Sequence, residues 1–299
     1  MSTSADITPA NAFYRELILR NGGLISTRAQ HTLSGITVLI AGCGSTGGAA
    51  VESLTRLGVQ RLRLADNGVF ELNNLNRQSA GTADIGRNKA VVAAERAHKI
   101  NPYLHATVET SGIRSSTVTT LVEKVDVVID GVDVTEPAGW RAKLLLHQSA
   151  AAARIPVISG YDMAGLQYVR FYDYRAASGR AFDGRIDDAD LDAKTIWALL
   201  MRVIPLRYVP LETIRDVRAH IGDQDYCVPQ LVYASMLFGA LGGRIVVDLC
   251  EGHPIRTHTV IDIHAAPRPT GRRIAMRVAK SVELLKAARD IPRLRRRST

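Results

Sequence analysis

Cysteine is scarce in this 299-residue chain: Cys43, Cys227 and Cys250 are an odd number with no framework spacing. A fold stapled by disulfides is therefore excluded, and a reducing, cytoplasmic setting fits best. The first twenty residues, MSTSADITPANAFYRELILR, lack a basic segment followed by an apolar one, so no secretory leader is read there. A long unbroken apolar run is missing too. The most apolar segment, CVPQLVYASMLFGALGGRIVVDL, is interrupted by Pro229, Gln230, three glycines, Arg244 and Asp248. It reads as a buried helix followed by a strand, and no membrane partner is expected. No internal repeat occurs, and no low-complexity stretch outside the C-terminal tail.

What is present is ordinary globular material, 46% hydrophobic and 22% charged, enough for one large domain or two modest ones. The net charge of +9 has one origin. From Arg268 onward eleven Lys and Arg meet only Glu283 and Asp290, and eleven less two is the whole excess. The body, with 27 basic and 27 acidic residues, is balanced. The tail RVAKSVELLKAARDIPRLRRRST reads as a short helix stopping before Pro292, then an open, solvated arginine cluster. Such a tail can also meet an acidic protein, RNA or a lipid surface.

Along the chain, strands alternate with helices. Residues 36–40 form a strand, a glycine-rich turn opens a helix ending at Gly58, and RLRLAD is a second strand ending at Asp66. A loop leads to a helix beginning near Arg87. HATVET, DVVIDGVD, IPVISGYDM and LQYVRFYDY continue the strands, with TVTTLVEKV and RAKLLLHQSAAAAR as helices between them. Several strands are apolar on both faces. The expected fold class is α/β: a Rossmann-like, mostly parallel sheet with helices on both faces, plus a crossover insertion that returns to the sheet. The domains read as 1–35, an N-terminal helical arm; 36–174, the nucleotide-binding domain; 175–226, the crossover; 227–267, the return helix and strands; and 268–299, the basic tail. RAASGRAFDGRIDDADLD, at the start of the crossover, reads as an exposed loop.

The turn Gly42-Cys43-Gly44-Ser45-Thr46-Gly47 spells GxGxxG between a strand and a helix. Its glycines let the backbone approach phosphates, and the helix N-terminus supplies N–H donors. Asp66, ending the second strand, stands where a carboxylate would hold ribose hydroxyls. Those features alone suit an NAD-dependent oxidoreductase equally well. Arg77 in NNLNRQ and Lys89 in DIGRNKA shift the reading, because extra cations beside the turn suit a triphosphate whose bonds are broken. Asp133, after DVVID, is then placed to hold magnesium on the phosphates.

Together these segments resemble the ubiquitin-activating-enzyme-like superfamily, the ThiF/MoeB/HesA group of ATP-dependent adenylyltransferases. VLIAGCGSTGG resembles its glycine loop, LADNGVFELNNLNRQ its Asp-to-Asn-Leu-x-Arg-Gln segment, and DIGRNKAVVAAERAHKINP its lysine helix. FYRELILR with AQHTL resembles its N-terminal helix. The likeness runs from about Tyr14 to Phe171, with a weaker echo at 228–248. It implies that Gly42, Gly44, Ser45 and Gly47 shape the phosphate turn, that Asp66 holds the ribose, and that Asn74, Arg77 and Lys89 contact the phosphates. Asp133 would bind magnesium, and Arg15 would reach into the partner subunit's site of a homodimer. Gln78 would support the loop. The implied reaction is attack of a substrate carboxylate on the α-phosphate of ATP, giving an acyl adenylate and pyrophosphate. A carboxylate is already ionised at pH 7, so this step needs no base.

The chain departs from the family pattern in places. Ser45 stands where a second adjacent glycine is frequent, and Val134 where an asparagine is common, with TEPAGW lengthening that loop. The frequent pair of CxxC motifs is absent, and Cys250, His253, Cys227 and His258 would have to converge to make a zinc site, so no zinc is expected. Cys227 is a candidate acceptor thiol, although its acidic surroundings disfavour a thiolate. His98 and His147 are expected to pack or face solvent. The expected substrate is a small ubiquitin-like or sulfur-carrier protein, or a peptide, with a free C-terminal carboxylate. Alternatives are a tRNA-acting member of the superfamily that uses the basic tail, and a non-catalytic partner subunit.

Overall fold

The structure, a computed structural model, describes residues 8–175, 179–220, 223 and 226–295, the last eight of these in backbone only. The terminal arginine cluster therefore lies outside the described side chains. Seven strands form one sheet in the order β3-β2-β1-β4-β5-β6-β7. They are β1 (Thr37–Ala41), β2 (Arg61–Ala65), β3 (His105–Glu109), β4 (Val127–Asp130), β5 (Val157–Met163), β6 (Leu166–Tyr172) and β7 (His258–Asp262). The first five run parallel, and β6 and β7 are added antiparallel.

Alternation along β1 explains the two layers. Val38 and Ile40 join one core with α2 (Thr27–Gly35), α3 (Ser45–Leu57), α4 (Lys89–Ile100) and α10 (Val232–Glu251). Leu39 and Ala41 join the other with α5 (Val118–Val122), α6 (Pro137–Ala152) and α8 (Ile196–Val203). The N-terminal arm is α1 (Pro9–Leu17), and the crossover also carries α7 (Asp188–Ala193) and α9 (Leu211–Ala219). The last element is α11 (Thr270–Arg295).

Three expectations are corrected. Residues 228–247 do not divide into a helix and a strand: α10 is one helix that continues to Glu251. Its glycines explain this, because a Cβ on Gly239 would meet the Ala49 carbonyl at 2.6 Å and one on Gly243 would meet Leu57 at 2.9 Å. Small residues let α10 lie close on α3, and that packing overrides the strand propensity of Ile245-Val246-Val247. By length and composition α10 could cross a bilayer, yet Phe238, Val246 and Val247 are core residues of the sheet layer. The tail helix does not stop before Pro292: α11 runs to Arg295, packs on α9 and buries Glu283 beside Arg215, Arg218 and Lys286. The crossover start is not an exposed loop either: Phe182 is fully buried, stacked on His147 with ring centroids 4.0 Å apart.

Candidate nucleotide site

The order β3-β2-β1-β4-β5 reverses direction between β1 and β4, so a crevice opens at the carboxyl edge of those strands. Three glycines close it by backbone contact. Gly42 has φ +81°, and a Cβ there would lie 2.4 Å from the Gly131 carbonyl oxygen. A Cβ on Gly47 would lie 1.9 Å from the Gly42 oxygen. The turn is thus as tight as the chain permits, and the first N–H groups of α3 are left for an anion. Gly47→Ala should cost about 3 kcal/mol by overpacking and abolish nucleotide binding. A wild-type denaturation midpoint with nucleotide still bound would contradict this.

Asp66 follows β2 and ties the turn to it. Its Oδ2 accepts from Cys43 N at 2.6 Å and its Oδ1 from Gly68 N at 2.7 Å. Burial raises its pKa, while those two N–H groups and Lys89 pull it back. Each oxygen keeps a second lone pair for a ligand hydroxyl. Lys89 opens α4, capped by Asn88, whose amide donates to the Asp66 carbonyl at 2.9 Å. Cys43 is buried, and burial together with Asp66 pushes its thiol pKa well up, so it fills space in the turn.

Asn74 spends its amide inside its own loop: Oδ1 accepts from Glu71 N at 3.2 Å and Nδ2 donates to Asn73 Oδ1 at 2.6 Å. Gln78 packs its buried amide against Gly44, and its Oε1 has no partner. Arg77 is held by Gln230. Its Nε donates to Gln230 Oε1, and its Nη1 donates to Asn73 O at 3.0 Å and Asn76 Oδ1 at 2.9 Å. Gln230 in turn bridges to Ala164 and accepts from Asn76 Nδ2 at 3.1 Å. Cys227 is exposed, three residues before Gln230.

Asp133 is exposed beyond β4, and its Oδ1 accepts from Thr135 N at 2.9 Å. A magnesium ion is held by one or two carboxylates plus water and phosphate oxygens, and a single exposed aspartate at this edge fits that donor set. The loop carrying it is braced from below. Asp130, fully buried, takes Lys143 Nζ at 2.6 Å, Ser159 Oγ at 2.6 Å and His147 Nε2 at 3.0 Å. Its Oδ1 accepts from Val132 N, and Lys143 also donates to the Val132 carbonyl at 3.4 Å. Burial would raise the Asp130 pKa, but Lys143 and His147 hold it well below the usual range. His147 is driven the other way: burial lowers its pKa against the pull of Asp130. Its Nδ1 meets Tyr174 Oη at 2.8 Å, so this histidine packs and does not face solvent.

Arg15 stands apart. Its helix α1 is pinned by Tyr14, whose hydroxyl donates to the carbonyl of Gly58 at 3.1 Å, beyond the C-terminal end of α3. The glycine turn opens the other end of that 13-residue helix, about 20 Å away. Arg15 therefore does not reach the glycine turn of its own chain.

The model of the ThiF family matches residues 18–179, more than half of the chain. The chain belongs to the ThiF family. Among relatives of this ThiF-family chain, an uncharacterised protein of Mycobacterium tuberculosis is 37% identical over 155 residues, covering 52% of this chain and 21% of that protein. The molybdopterin-synthase adenylyltransferase of Escherichia coli K12 is 30% identical over 149 residues, covering 50% and 57%. The chain thus spans only part of the curated relatives it matches. The crystal structure of PaaA superposes with a TM-score of 0.64 at 21% identity, over 89% of this chain and 83% of that one, and shares its fold. The family match ends at residue 179, near the start of the crossover, so α7 to α11 and β7 lie outside it.

Proposed function

We propose that the chain is an ATP-dependent adenylyltransferase that converts a substrate carboxylate into an acyl adenylate and releases pyrophosphate. The observation that carries this reading is the gathering of Lys89, Arg77 and Asp133 around a phosphate turn made of apposed glycine backbones. Bringing an anion to an anion is the difficulty of this reaction, and fixed positive groups with N–H donors answer it. The likeness to the molybdopterin-synthase adenylyltransferase of E. coli supports the same chemistry.

In this reading the N-terminus of α3 and Lys89 hold the phosphates, Asp66 takes the ribose, and Arg77 neutralises the α-phosphate as charge develops. Asp133 would hold magnesium, which supplies further neutralisation of the phosphates when bound. The carboxylate oxygen attacks phosphorus in line, and no proton changes hands. A peptide or small protein with a free C-terminus is the proposed substrate. A homodimer is proposed as the working form: exposed Leu19 and Leu24 share the N-terminal arm with Arg15, which would then complete the partner's site.

The test is ATP–pyrophosphate exchange in the presence of twenty hexapeptides that differ only in the C-terminal residue. Exchange should appear with a subset of them, and Asp133→Ala should lower it at least about 100-fold. Near-normal exchange in that variant would remove Asp133 from the site, and exchange with no peptide would sink the reading.

A further inference from the structure

The polarity of α11 is reversed for a helix lying on a protein surface. Its inward face carries charge: Glu283 is buried beside Arg215 and Arg218, and Lys280 Nζ donates to the Arg207 carbonyl at 2.7 Å. Its outward face is aliphatic, with Ile274, Val278, Val282 and Leu285 exposed by 56%, 61%, 46% and 67%. Their spacing of four, four and three residues keeps them on one side of the helix, at about 100° per residue. Thr270, Gly271, Ala275 and Ser281 flank them, so the outward face bears no charge. Arg277 edges this face on one side and Lys286 on the other. Nine residues apart in sequence, they stand about 180° apart around the helix axis.

A helix on a globular body turns its apolar side inward, and an apolar face left in water marks a contact surface. The rim of this face says what it meets. Arg272, Arg273 and Arg277 are exposed, and among the described residues they pair with no carboxylate. Five more arginines follow in the sequence against Asp290 alone. The occupant is therefore apolar where it meets the stripe and negative around it. A second copy of the chain would bring the same arginines to the seam, and like charges across paired helices repel. RNA would engage the arginines and leave four aliphatic side chains in water. An acidic partner helix would cover a narrow seam, whereas about half the circumference of α11 is free of charge. A flat anionic surface covers all of it without lifting α11 from α9.

We infer that α11 is a membrane-surface helix, which rests the chain on a bilayer containing anionic lipid. The four aliphatic side chains enter the headgroup boundary, while Arg277 and Lys286 on its rim extend along their stems to the lipid phosphates. The other basic side chains add attraction to the negative leaflet, about fivefold in affinity for each one close to the surface. The helix lies along the bilayer and does not cross it, so the interruptions in the chain's most apolar segment are no obstacle. This surface shares no residue with the nucleotide site, so membrane contact and adenylation are separable.

The test is co-sedimentation of the full chain with vesicles of phosphatidylcholine alone, and of phosphatidylcholine with about 30% phosphatidylserine, at about 0.1 M and about 0.5 M salt. The wild type should partition at least about tenfold more strongly onto the anionic vesicles, and the difference should shrink at the higher salt. Val278→Asp should weaken that binding at least about tenfold, while Val278→Leu should keep it. Val278 is exposed, so neither change should move the urea midpoint. Arg273→Gln combined with Arg277→Gln should weaken binding about 25-fold. No partition onto the anionic vesicles overturns the inference. So does wild-type binding by Val278→Asp, since the arginines would then act as a polycation alone. A dimer in sedimentation velocity that Val278→Asp dissolves would mean that a second copy covers the face. An acidic amphipathic peptide that binds where the vesicles do not would overturn the inference in favour of a protein partner.

Discussion

Lys143→Met should destabilise the protein by about 3–5 kcal/mol, the cost of leaving a buried charge without its partner. Asp130 and Lys143 are both sealed from water, and the ammonium lies 2.6 Å from the carboxylate. Methionine fills much the same volume, so lost packing contributes little. What remains is a carboxylate bonded to Ser159 and to a histidine whose buried ring resists protonation. The cation also rests over the Tyr161 ring at 5.0 Å and donates to the Val132 carbonyl, so the loop bearing Asp133 should loosen as well. Pairing the change with Asp130→Asn removes the orphaned charge, and much of the stability should return. Urea midpoints for the four members of that cycle should give a coupling of at least about 2 kcal/mol. Additive effects would mean the pair is not energetically linked.

Sequence patterns carried the reading as far as local chemistry reaches. Strands apolar on both faces implied a parallel sheet, and in such a sheet every strand-to-helix turn opens on one edge. Gly42, Gly44, Ser45, Gly47, Asp66, Lys89 and Asp133 therefore share that edge as a matter of topology. The remainder depends on contacts between distant segments. Asp162 reads in IPVISGYDM as the end of a strand, and its partner is Ser45, 117 residues away. Gln230 is an interruption in an apolar run until it meets Arg77 across 153 residues. Lys143 and His147 fall on the inward face of a helix whose polar residues suggest solvent, and Phe182 sits in a stretch whose composition suggests a loop. Each is set by burial against a partner that no spacing rule identifies. The crossover shows the cost most plainly: Phe182 and Asp183 both adopt positive φ, near +53° and +55°, to place that ring on His147 and to let Asp183 pair with Arg170.

Arg77→Ala should lower ATP–pyrophosphate exchange by about 100- to 1000-fold, the range found when one preorganised donor to developing charge is lost. Its partners, Gln230, Asn73 and Asn76, are all neutral, so the hydrogen bonds orient the fork without cancelling its charge. That arrangement holds the guanidinium in one orientation between Gln230 and its own loop. Arg77→Lys should recover only part of the loss, because a point charge cannot keep the contacts of the planar fork. Gln230→Ala gives the milder control: the charge stays while its tether goes, so exchange should fall by about tenfold at most and the effect should appear in KM for ATP more than in kcat. If Arg77→Ala exchanged within about threefold of wild type, the triphosphate would have to be neutralised elsewhere. If Gln230→Ala proved as damaging as Arg77→Ala, the glutamine itself would belong to the reacting centre and the tether account would fail.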